Sequence, residues 1–138
     1  MVDPLQQRIN QYQWLSELRL KLLRLHKLLL EAERVAYEQV QGQVSRGELL
    51  QLVISHDQFA WLHRLSQIIV QIDELQQADE PITLETIATF LVDVRTLLTP
   101  SESGDDFATK YDAALQQNPD VVLAHADVVT LLTTPSEG

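Results

Sequence analysis

From Leu5 to Gln41 the chain runs for more than thirty residues without a glycine or a proline, and Trp14–Tyr37 (WLSELRLKLLRLHKLLLEAERVAY) alternates leucines with charges throughout. Such a stretch can be helical from Pro4 to about Gln41, and one long helix is expected. Its start is legible: Asp3 is an N-cap candidate, and Pro4 falls at the first helical position, where its missing N–H costs nothing. At about 100° per residue, Leu15, Leu18, Leu22, Leu25, Leu29, Ala32, Ala36 and Val40 form one continuous face with the 3-4 spacing of a helix-packing seam. Leu5, Ile9, Tyr12, Leu20, Leu23 and Leu30 make a second stripe, interleaved with Arg19, Lys27 and Arg34. A helix with two apolar stripes needs neighbours on two sides. The chain is therefore expected to be an all-α bundle.

The later segments supply those neighbours. Gly42 suits a left-handed helix C-cap, and Ser45-Arg46-Gly47-Glu48 is a capping box opening a second helix, expected as one unbroken element over about 46–77. That helix also carries two stripes. One holds Leu49, Leu52, Val53, His56, Phe59, Ala60, His63 and Val70; the other holds Leu50, Ile54, Trp61, Leu65, Ile68, Ile72 and Leu75. The short connection predicts a long antiparallel hairpin of the first two helices. Thr83 caps a third helix, about 84–98; a fourth is expected over about 105–117. Asn118-Pro119-Asp120 restarts a fifth, about 119–133. Residues 1–133 form a single domain in this reading, and 134–138 a flexible tail.

Helix lengths point to a partner surface. At about 1.5 Å per residue the hairpin arms span roughly 50 Å each, against about 20–25 Å for each remaining helix. Three short helices cannot easily cover both sides of the hairpin. An uncovered apolar face associates, so a homo-oligomer or a protein partner is expected. The interface candidates are Leu5, Ile9, Tyr12, Leu20, Leu23 and Leu30.

Charge and composition narrow the classes further. The formal net charge is −10, split as seven Lys/Arg against six Asp/Glu in residues 1–50 and three against fourteen in 51–138. An acidic body disfavours nucleic acid. Arg19, Lys21, Arg24, Lys27 and Arg34 spread around the first helix rather than clustering, which fits salt bridges to later acidic helices. There is no cysteine, hence no disulfide framework, thiolate metal site or thiol nucleophile. No signal-peptide order opens the chain and no run is long enough to span a membrane. A cytoplasmic protein is the expectation.

The candidate chemistry rests on the histidines. If the hairpin turn is centred near Gln43–Val44, residues at one level have numbers summing to about 87. This sets His26 near His63 and Glu33 near His56, as two cross-helix pairs that either fix register or hold a metal or small ligand. His56 and His63 lie about 10.5 Å apart along a helix axis, too far for one metal, and no Glu-x-x-His occurs. Ser55-His56-Asp57 has the residue types of a hydrolytic triad, but neighbours on a helix diverge by about 100° and cannot bond in series. Arg64-Leu65-Ser66-Gln67 after His63 lacks the pattern of a histidine phosphotransfer domain. Tyr12, Trp14, Phe59 and Trp61 are read as core rather than as a ligand box. No catalytic residue and no cofactor is expected.

Leu49–Glu74, with its His56-Asp57-Gln58-Phe59-Ala60-Trp61-Leu62 block, resembles a segment of small uncharacterised bacterial all-helical proteins that carry His-Asp-x-Phe-x-Trp-Leu. Asn118–His125 resembles their C-terminal block. The likeness spans about residues 14–132 and implies a helical fold, with no activity attached. The expected function is that of a non-enzymatic interaction or scaffold bundle.

Overall fold

Asp3 opens the first helix as its position demands. Its carboxylate accepts from the Leu5 amide at 3.2 Å, and Pro4 occupies the first turn, where no amide is needed. The computed structural model describes residues 3–80, 82–99 and 106–133. Among them are six α-helices and one 3-10 segment, with no strand: α1 (Pro4–Gln41), α2 (Arg46–Ser55), the 3-10 segment (Asp57–Leu62), α3 (His63–Gln77), α4 (Leu84–Leu98), α5 (Asp106–Gln117) and α6 (Pro119–Thr133). The fold is all-α.

α1 buries Leu15, Leu18, Leu22, Leu25 and Leu29, the middle of the expected face. Burial stops there: Ala32 is half-buried, and Ala36 and Val40 are exposed. The helix ends where Gly42 adopts φ 89° and donates its amide to the Glu38 carbonyl at 2.9 Å. Its ψ of 171° is extended, not left-handed helical as expected. A side chain at this φ would be strained, which accounts for glycine here.

The expected single helix over 46–77 is broken. α2 stops at Ser55, His56 is extended (φ −88°, ψ 134°), and six residues of 3-10 helix precede α3. The local sequence supplies the reason. The Ser55 hydroxyl donates back to the Gln51 carbonyl at 2.8 Å, and the His56 Nδ1 accepts the Gln58 amide at 3.1 Å. Polar side chains that bond their own backbone compete with helix continuation. Each 3-10 residue turns about 120° instead of about 100°, so the stripes drawn through a straight helix lose their phase. Trp61, Leu62, Leu65, Ile69 and Ile72 are buried, whereas Val70, Leu50 and Ile54 are exposed.

α4 and α6 start on side-chain caps. Thr83 accepts the Thr86 amide at 3.1 Å, and Asn118 accepts the Asp120 amide at 3.0 Å. α1 packs against α3, α6 and the 3-10 segment; α5 packs against α4, α6 and the 3-10 segment; α4 also touches α6. One core results. It joins the leucines of α1 to Phe59, Trp61 and Leu62, to Phe90 and Val94 of α4, to Phe107 and Tyr111 of α5, and to Val121 and Val128 of α6. Two of the basic residues of α1 reach acidic later helices: Arg19 pairs with Asp73 of α3 at 2.5 Å and Arg24 with Asp127 of α6 at 3.4 Å. Arg34 instead pairs within α1, with Glu31 and Glu38. Among the described residues no helix is long and apolar enough to cross a membrane.

Candidate functional site

Glu33 stands where α1 faces the 3-10 segment, and each oxygen of its carboxylate accepts a hydrogen bond. Oε2 accepts the Gln58 side-chain amide at 2.9 Å, and Oε1 accepts the Trp61 indole N–H at 3.2 Å. The expected Glu33–His56 pair is thus replaced. The break after Ser55 turns His56 outward, where its ring meets Tyr37 edge-on at 5.5 Å and Phe59 at 6.2 Å. Trp61, expected as core, also bonds Glu33. The partners of Glu33 are neutral donors, and through them α1 is tied to the 3-10 segment at this level.

His26 and His63 lie close enough to interact electrostatically. His26 is half-buried and its pKa is lowered, first by burial and then by the nearby His63. His63 lies 2.8 Å, through Nε2, from the Val53 carbonyl; a carbonyl only accepts, so Nε2 carries the proton. That bond ties the first residue of α3 back to the last turn of α2, across the break. No group of three or more metal-ligating side chains converges among the described residues, and His26, Glu33, His56 and His63 do not form one cluster.

Sequence reading missed one polar pair. The Tyr111 hydroxyl meets the Nδ1 of His125 at 2.7 Å, between α5 and α6. Burial pushes the Tyr111 pKa up and the His125 pKa down, so both groups are neutral near pH 7. His125 sits on the same helical face as the buried Val121 and Val128, and that spacing was the available signal.

The uncovered apolar surface is the more distinctive feature. Of the six interface candidates, Leu5, Ile9, Tyr12 and Leu20 are exposed, whereas Leu23 and Leu30 are half-buried against the core. Leu5, Ile9 and Tyr12 line a groove of about 620 Å³ with Leu75 and Ile82. At the other end of α1, Val35 and Val40 are exposed. Beside them α2, in which five of ten residues are apolar, buries none of its residues, and Leu50 and Ile54 are 58% and 59% exposed. These α2 positions were absent from the expected interface. A second stripe on so short a helix would have marked them.

Comparison with protein-family models, with curated proteins and with solved structures finds no match for the chain. The assignment therefore rests on the geometry.

Proposed function

We propose that the chain is a non-enzymatic interaction bundle that self-associates through the far end of a long antiparallel hairpin. The hairpin is α1 with the return leg of α2, the 3-10 segment and α3. Its support is a ladder of cross-links at nearly matched levels: Gln76 to the Tyr12 carbonyl and Ser16, Asp73 to Arg19, and Trp61 and Gln58 to Glu33. Of the short helices, α6 packs on α1 and α5 on the 3-10 segment; the last turns of α1 lie beyond the buried leucines, and α2 buries no residue.

One observation carries the reading: α2 rests Leu49, Leu52 and Val53 half-buried against the core and leaves Leu50 and Ile54 exposed. A ten-residue helix is marginal by itself and needs packing on its apolar side. A second copy is the partner that charge favours. Residues 30–55 carry two arginines and four glutamates, a net of −2, leaving −8 on the rest of the chain. Two such ends, at −2 each, meet with less repulsion than two of the strongly acidic surfaces built from residues 51–138. A symmetric contact would lay Val35, Val40, Leu50 and Ile54 of each copy against the other.

Light scattering after size exclusion at micromolar concentration should give a mass of at least two chains. Leu50→Glu with Ile54→Glu should return the monomer with its helicity intact. A wild-type monomer, or an unchanged oligomer in the double variant, would overturn the proposal.

A further inference from the structure

The groove at the opposite end has a chemistry of its own. Leu5, Ile9 and Tyr12 of α1 form one apolar wall, and Leu75 and Ile82 form the other. The side contributed by the end of α3 and the following loop bears Asp79 and Glu80, both exposed; Arg8 stands on the α1 side. α3 ends here without a basic residue in its last turn, so its negative dipole end is uncompensated by its own side chains. Ala78, its C-cap, also lines the groove. Cations are therefore favoured along one rim by two carboxylates and a helix terminus together, beneath the field of a chain with net charge −10.

We propose that this groove is a docking site for a basic amphipathic helix of a partner protein. The apolar anchors of that helix pack between Tyr12 and Ile82, and its lysines or arginines lie along Asp79 and Glu80. The volume of about 620 Å³ accommodates a few large side chains in helix-in-groove fashion, with anchors on one face of the partner. Arg8 leaves room for one acidic residue on the partner's other edge. Because the self-association face lies at the far end of α1, the two sites are separate: one copy can pair through α2 and hold a basic helix at its other end.

The test uses the full chain and a synthetic fourteen-residue amphipathic peptide of leucine and lysine, beside its leucine–glutamate counterpart. Fluorescence anisotropy should show binding of the lysine peptide only. Asp79→Lys with Glu80→Lys should weaken it by about tenfold or more, as should Ile9→Glu, while reversal of a distant exposed acid, Asp112→Lys, should change it by less than about twofold. Amide shifts should map to Leu5, Ile9, Tyr12 and Ile82. Equal binding of the glutamate peptide would overturn the proposal, and so would equal weakening by Asp112→Lys or shifts centred on α2. The oligomer mass is read separately, so failure here leaves the self-association result intact.

Discussion

Trp14 and Trp61 are an internal control for what one hydrogen bond is worth. Both are 5% exposed and both sit in the same core. The Trp61 indole N–H donates to Glu33, whereas the Trp14 Nε1 has no partner among the described residues. Replacing each with phenylalanine removes similar apolar volume. At Trp61 it also strips a charged acceptor of one donor; at Trp14 it removes a buried donor that was already unsatisfied. Bonds to charged groups are worth about 1.5–3 kcal/mol, and an unpaired buried polar group costs about 1–3 kcal/mol. Trp61→Phe should therefore destabilise the protein by about 1–3 kcal/mol more than Trp14→Phe. Urea unfolding of the two variants measures the difference, and equal losses would show that the Glu33 bond contributes nothing net.

The break between α2 and the 3-10 segment is an element-scale device held by one imidazole. His56 caps the segment by accepting the Gln58 amide through Nδ1. Removing such a cap costs about 0.5–2 kcal/mol, while asparagine is among the best N-cap residues. His56→Ala should lower the thermal midpoint measured by circular dichroism, and His56→Asn should restore most of it; matched losses in both would mean the ring acts only through Tyr37 and Phe59. Much of the remaining layout was legible beforehand. The caps at Asp3, Ser45, Thr83 and Asn118 name themselves because their side chains act on residues two or three positions away. The leucine face of α1 was equally plain, since one periodicity runs through it unbroken. Ser55-His56-Asp57 was legible as chemistry and discarded as a triad, yet its real message was local: three poor helix-interior residues in a row end a helix. That single miss propagated. It placed Glu33 opposite His56 instead of Gln58 and Trp61, and it ran Leu50 and Ile54 into one stripe with Trp61, Leu65 and Ile72 that the break interrupts. Levels along the hairpin depend on the number of residues per turn, and the sequence pattern alone does not reveal a change in it.

Across the whole molecule, two seams carry neutral histidines. His26 lies within electrostatic reach of His63, α1 packing on α3, and His125 meets Tyr111 where α5 packs on α6. Burial lowers the pKa of both His26 and His125 from the ordinary value of 6.5, and the proximity of His63 lowers His26 further. The folded chain consequently binds fewer protons than the unfolded chain once the pH drops below that value. Stability from these two residues is fully present above pH 6.5 and is lost as the pH falls toward their folded values. Carboxylates act in a different window. The Glu31 pKa is lowered from 4.5, chiefly by its hydrogen bond to Arg34, so any contribution from it persists until the pH falls below 4.5. Between the two windows acid acts on the seams, loosening the hold of α3 and α6 on their neighbours before the surface pairs are titrated. The urea midpoint should fall between about pH 7.5 and about pH 5.5. In a His26→Gln, His125→Gln double variant, which has no proton to take up at either position, that fall should be clearly smaller. An undiminished fall would place the acid sensitivity elsewhere in the molecule and remove the seams from the account.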